Sequence, residues 1–192
     1  MFVLHVALQG CLKGRDVAYG ITADTGGHIR YLLDLVNAAA QDDPEGRIAI
    51  ATRAFSSEWG PAYEMPREEV REGVEILRFA TRSPDYLPKE EIWQEVPSFA
   101  EALVRWIEAQ PVRPDVVHAH YADAASVAAI VEDRLGIPFV FTAHSLGRVK
   151  SAAMGPGAGL DRCPSHRRRV ETEERALARA SLVVASSRDE AE

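Results

Sequence analysis

Cysteine is nearly missing from this sequence. Only Cys11 and Cys163 occur, far apart, without CxxC spacing and without histidines at zinc-ligand intervals, so neither a disulfide framework nor a structural zinc site is indicated. Both read as incidental thiols. Long apolar runs are missing too: no stretch approaches the roughly 18 residues that cross a bilayer, and the start MFVLHVALQG has neither the basic flank nor the small-residue cleavage site of a secretory signal. A soluble, cytoplasmic protein with no membrane partner is expected. Excess positive charge is also absent. At a formal charge of −7 the surface is unsuited to a phosphate backbone, which argues against nucleic acid as a partner. There is no internal repeat, no GxGxxG fingerprint and no nucleophile elbow. The second expected strand ends in Thr52-Arg53, where a dinucleotide fold places an acidic residue on the ribose. A nicotinamide dehydrogenase and an unrelated hydrolase are disfavoured accordingly.

What is present is enough apolar material for one core: 46% of 192 residues are hydrophobic, consistent with a single domain over 1–192. Short apolar runs alternate with helical patterns. Strands are expected at Phe2–Leu8, Arg47–Thr52, Val74–Ala80, Asp115–His118, Pro138–Thr142 and Leu182–Ala185. Helices are expected from Gly26 to the Asp42-Asp43-Pro44 stop, across Pro88–Ala109 as one helix or as two with Pro97 starting the second, over Ala124–Leu135 before Gly136, and over Arg168–Ala180. Ser187 with Glu190 reads as a capping box. Such alternation, with nearly continuous apolar strands, calls for an α/β fold: a Rossmann-like, doubly wound, mostly parallel sheet with helices on both faces. Ligands of such sheets bind beyond the carboxyl ends of the strands. That edge collects Gly26-Gly27, Arg82, His118 to Asp123 and His144 to Lys150.

Each of these has a plain and a functional reading. Gly26 and Gly27, at a helix start, either make a tight turn or let backbone N–H groups approach an anion or sugar. His118 and His120 are two apart in an extended segment and point the same way. They can bond a sugar or ligate a metal, although no third ligand is identifiable and no metal is assigned, and Asp123 can cap the next helix. His144 follows a strand end, with Arg148 and Lys150 in a Gly-containing loop suited to gripping an anion. Arg167, Arg168 and Arg169 either join that grip or form an exposed face paired at i,i+4 with Glu171, Glu173 and Glu174.

The strings DTGGH, YLPKEEIW, HAHYADA, HSLGRVK, RRRVETEE and ASSRDEAE, in this order, resemble the N-terminal domain of sucrose-phosphate-synthase-like, family-4 retaining glycosyltransferases. The resemblance runs over essentially the whole chain. It implies a GT-B architecture in which this half binds a sugar or sugar-phosphate acceptor and a C-terminal domain, absent from this chain, binds the nucleotide sugar. It implies no tightly bound cofactor, with UDP-glucose or another NDP-glucose as co-substrate. Carried over by position, it places Gly26 and Gly27 near the donor phosphates. His144 then contacts the transferred glucosyl unit as the catalytic residue. Arg148, Lys150, Arg168 and Arg169 then hold an acceptor phosphate, while His28, His120 and Asp123 join the substrate-binding candidates on the residue pattern alone. The chain departs from the family pattern at Gln9-Gly10-Cys11 in place of HGL, at Gly20-Ile21-Thr22 in place of GRD, at His28 in place of Gln, and at Ser83-Pro84-Asp85, where a Lys is usual. The alternative is a stand-alone sugar-phosphate-binding or partner-subunit module without catalysis.

Overall fold

The computed structural model describes residues 1–155, 159–185 and 187–191. The strands are β1 (Phe2–Val6), β2 (Arg47–Arg53), β3 (Arg67–Arg71), β4 (Val74–Phe79), β5 (Val116–His120), β6 (Phe139–Thr142) and β7 (Leu182–Val184). They form one sheet in the order β3-β4-β2-β1-β5-β6-β7. Every pairing is parallel except β3 with β4. The helices are α1 (Gly27–Asp42), α2 (Val96–Glu108), α3 (Tyr121–Leu135), α4 (Gly147–Met154), α5 (Pro164–Arg179) and α6 (Arg188–Ala191).

Helices cover both faces. On one, Ile29, Leu32, Leu33 and Val36 of α1 pack on Ile48 and Ile50 of β2 and Ile76 of β4. On the other, Phe99, Leu103 and Ile107 of α2 and Val127 and Val131 of α3 bury Leu4, Val6, Val117, Phe139 and Phe141. Each fully buried Phe or Leu stabilises the fold by roughly 1.5–3 kcal/mol relative to exposure. The doubly wound α/β expectation is therefore met.

Two local features differ from the sequence reading. The Pro-containing stretch between β2 and β4 includes an antiparallel edge strand, β3, whose sequence REEVR buries only Val70. It carries no apolar alternation because an edge strand needs apolar cover on one side only and keeps charge outward. The segment after His144 is not a loop but opens the helix α4. Within Pro88–Ala109, Pro97 does open a separate piece: a short 3₁₀ turn at Ile92–Gln94 precedes α2, and Pro97 stands in its first turn, where its missing N–H is harmless. Gly136 terminates α3 in the left-handed conformation, φ 69°, as glycine readily does. In the capping box read at Ser187 and Glu190, the Glu190 side chain lies outside the described ones, as do Ser186 and Glu192 of the last motif. The thiols of Cys11 and Cys163 are both free, and among the described residues no helix is long and apolar enough to cross a membrane.

Candidate functional site

A cleft of about 640 Å³ opens at the carboxyl edge of the sheet. Residues after β1 supply Gln9, Asp24, Gly26, Gly27, His28 and Tyr31; the segment before α2 supplies Lys89, Glu90 and Trp93; the start of α3 supplies Tyr121 and Asp123. His144, Ser145 and Lys150 follow β6, and Cys163, His166 and Arg169 come from the beginning of α5. This is where parallel strands leave their loops unpaired, at the reversal of strand order between β1 and β5.

Gly26 and Gly27 sit at the mouth of α1. A Cβ at either position would meet nothing within 4 Å, and neither has a positive φ. The fold itself therefore does not demand glycine there, and the empty space faces the cleft. The N-cap makes no side-chain hydrogen bond, and the first turn carries no acidic residue. Such a helix N-terminus, with its partial positive charge, is open to an external anion.

His144 stands opposite, at φ 58°, and Tyr121 beside it has φ 73°. Positive φ in a non-glycine residue costs about 1–3 kcal/mol, and two such residues at adjacent strand ends on one cleft mark a place where side-chain aim outweighs relaxed backbone. The His144 ring meets Tyr121 at 4.9 Å, Tyr31 at 5.2 Å and His28 at 6.1 Å between centroids. Its pKa falls to about 4 because burial penalises the imidazolium, with smaller contributions from His28 and His118. At neutral pH it is an uncharged ring that can donate one hydrogen bond and accept another.

Asp123 is wholly buried in the first turn of α3, not at its cap, which is His120. Gln9 Nε2 donates to Asp123 Oδ1 at 2.6 Å, while Oδ2 is buried with no partner. Burial pushes this carboxyl up to about 6. A second carboxylate, Asp24, behaves differently. Burial raises its pKa too, but hydrogen bonds from the Lys89 ammonium at 2.7 Å, the Lys89 N–H at 2.9 Å and Tyr86 at 3.3 Å outweigh it and leave the group below its ordinary value. This network ties the β1 loop to the segment carrying Trp93.

The basic residues divide. Lys150 and Arg169 line the cleft, and Lys150 makes no ion pair with any described residue. Arg169 is held on Glu173 at 2.6 Å and on Ser145, so the i,i+4 pairing and the cleft position hold together. Arg148 points outward to Glu174 and does not line the cleft. Arg168 lies over the Trp93 ring, 4.9 Å from its centroid, at the rim. Glu173 also accepts the Gly147 N–H at 2.7 Å, and a Cβ on Gly147 would meet Val170 at 2.7 Å. Glycine is thus required where α4 docks on α5.

Of the residues expected from sequence, Gly26, Gly27, His28, Asp123, His144, Lys150 and Arg169 line one cleft, while His120 lies directly behind His144, 2.9 Å away. Arg82 does not line it. Tyr31, His166 and His5 carried no sequence signal of a role, Gln9 entered only as a departure from the family pattern, and Tyr121 lay inside the string HAHYADA without a role. Asp24, Lys89 and Trp93 lay inside the strings DTGGH and YLPKEEIW without one.

Comparisons with known proteins give the family and the fold. Residues 26–192 match the family model described as glycosyl transferase 4-like domain. Sucrose-phosphate synthase 4 of Arabidopsis thaliana is 32% identical over 217 aligned residues, covering 99% of this chain and 21% of that protein. Sucrose-phosphate synthase of Spinacia oleracea is 31% identical over 225, covering 100% and 21%. The chain thus spans about a fifth of the length of these relatives. Among solved structures, a sucrose-phosphate synthase from Thermosynechococcus elongatus superposes with a TM-score of 0.77 at 19% identity, over 97% of this chain and 42% of that one. The catalytic domain of starch synthase IV from Arabidopsis thaliana, bound to ADP and acarbose, gives 0.51 at 14% identity over 73% of this chain and 33% of that one. The likeness places the fold among GT-B glycosyltransferases.

Proposed function

We propose a function from one premise: the chain belongs to the glycosyl transferase 4-like family. In this reading it is the acceptor-side half of a retaining hexosyltransferase that moves a hexose from a nucleotide sugar to a sugar or sugar phosphate. The donor-side domain lies outside these 192 residues. The observation that carries the reading is the pairing, across one cleft, of an open diglycine helix start with a neutral His144 and the cations Lys150 and Arg169.

Each part has a matching task. The α1 N-terminus offers N–H groups and a positive potential to diphosphate charge as it develops on the leaving nucleotide. His144 hydrogen-bonds a hydroxyl of the transferred sugar, and its lowered pKa suits contact better than proton donation. Lys150 meets the acceptor phosphate, whose charge of nearly −2 at neutral pH favours a converging cation. Arg168, over Trp93, contributes to this grip only from the rim, and Arg148, turned outward to Glu174, takes no part in it. In a retaining reaction with an oxocarbenium-like transition state, such electrostatic groups dominate over acid-base work.

The chain on its own is expected to bind a sugar phosphate without transferring glucose. Calorimetric titration with fructose 6-phosphate and with fructose tests this. Lys150→Ala is expected to weaken the phosphorylated sugar by about tenfold, the equivalent of about 1.4 kcal/mol, and to leave the free sugar unchanged. Equal loss of both, or transfer of glucose from UDP-glucose by the isolated chain, overturns the corresponding half of the proposal.

A further inference from the structure

Behind the cleft wall lies a row of imidazoles that the proposed reaction does not use. His5 on β1 and His120 at the end of β5 are 3% and 1% exposed. His5 Nδ1 is 3.0 Å from His120 Nε2, and His120 Nδ1 is 2.9 Å from His144 Nε2. His5 and His144 are thus joined through one intermediate ring, across 139 residues of sequence between strands that only the fold makes neighbours.

We propose that His5, His120 and His144 form a tautomer-locked chain in which the buried His5 and His120 are positioning residues for His144, deciding whether its free ring nitrogen is a donor or an acceptor. A nitrogen-to-nitrogen hydrogen bond needs one N–H and one lone pair, and a neutral imidazole has one of each. His120 uses both nitrogens, so it accepts on one side and donates on the other, and both bonds run in the same direction. Only two arrangements satisfy this. In one, all three rings carry hydrogen on Nδ1, His5 donates to His120, His120 donates to His144, and His144 Nδ1 is a donor. In the other, all three carry hydrogen on Nε2, and His144 Nδ1 is an acceptor.

Mixed arrangements place two lone pairs or two N–H groups face to face about 3 Å apart in a buried site, where neither can turn to water for a partner. Burial keeps the rings uncharged, lowering His5 and His120 well below the ordinary value and His144 to about 4, so neutral tautomer bookkeeping applies near neutral pH. The chain therefore gives a specificity that a lone surface histidine lacks. An isolated imidazole changes tautomer by exchange with water and can serve a donor or an acceptor hydroxyl alike; this one must move hydrogen on three rings together.

The significance for sugar contact rests on the role proposed above for His144, but the test does not. Long-range proton–nitrogen correlation spectra of the ¹⁵N-labelled, chelator-treated, ligand-free chain read the tautomer of each ring directly. The expected result is one common tautomer for His5, His120 and His144. Opposite tautomers at His5 and His144 overturn the proposal, and this measurement needs no variant. In His5→Asn, whose amide can rotate to offer either group, His144 is expected to show both tautomers while His166, outside the row, is unmoved. A His144 spectrum indifferent to His5→Asn in a natively folded variant counts against the lock. His5, His118 and His120 also present ligand atoms within 4.8 Å of one another. Stoichiometric Zn²⁺ binding that displaces the shared ring protons would show that a metal, rather than hydrogen, joins these rings, and would overturn it as well. Failure to bind any sugar would sink the functional reading and leave these spectra interpretable.

Discussion

Strands β1, β5 and β6 each present one face to the α2 and α3 layer and one to the α1 side, and the two faces are built on opposite terms. Toward α2 and α3 the chain sends Leu4, Val6, Val117, Ala119, Phe139 and Phe141, a continuous apolar surface. Toward the α1 side the same strands send His5, His118, His120 and Thr142, linked by ring contacts of 4.4–5.3 Å and by a 2.8 Å hydrogen bond between His118 and Thr142. Both faces are buried. The first tolerates changes of shape within limits of volume; the second tolerates only partners that complete each hydrogen bond. The difference teaches that burial alone does not distinguish scaffold from site, whereas the polarity of what is buried does.

The largest effect is expected on the apolar face. Phe141→Ala leaves a cavity between α3 and the sheet and should destabilise the chain by about 3–5 kcal/mol in denaturant unfolding. A loss under about 1 kcal/mol would mean this face does not carry the fold.

Acid sharpens the contrast from the other side. As pH falls from about 6.5 toward about 4, the unfolded chain binds protons that folded His118 and His144 refuse, since burial lowers both to about 4. Stability is therefore full above about 6.5 and withdrawn below it, by on the order of 3 kcal/mol for each ring. Asp123 works in the opposite sense. Its folded carboxyl, pushed up to about 6, binds its proton before the unfolded one does, and offsets a contribution of similar size. The net expectation is a fall on the order of 3 kcal/mol from these three groups, seen as a lower Tm at pH 4.5 than at 7. An unchanged Tm would mean the polar face is already hydrated.

A smaller effect is expected at the cleft wall. Glu173→Gln removes the charge that holds both Gly147 N–H and Arg169 and should cost about 1–3 kcal/mol, read as faster hydrogen exchange over Gly147–Met154 with little change in α2. The smallest stability effect belongs to Gly27→Ala. With nothing within 4 Å of the new Cβ, stability should move by less than about 0.5 kcal/mol, while affinity for a nucleoside diphosphate should drop by about tenfold. A variant that unfolds instead would return the glycine to a purely structural role.

Much of the scaffold was legible in the sequence. Strong periodicity placed six strands and the long helices within a few residues, because apolar spacing follows from the geometry of each element. β3 was missed since its REEVR sequence meets the core only through Val70. α4 was missed because its docking depends on Glu173 reaching Gly147 from another helix, a contact with no local signature. In the site, Gly26, Gly27, His144 and Lys150 were found from their place after strands. Arg148 was not separable from Lys150 in a short run, and only the helical turn between them sends one outward to Glu174 and the other into the cleft.

By itself the sequence determined the α/β alternation, the parallel sheet it implies, and the edge at which chemistry would gather, since all three depend on near-neighbour spacing. The tertiary structure alone decided that His5 meets His120, that Gln9 holds Asp123 beside an unpartnered oxygen, and that Lys89 neutralises Asp24. These pairs are separated by 65 to 115 residues. Whether two polar groups meet at 3 Å is settled by strand order and register, which no local pattern of residues specifies.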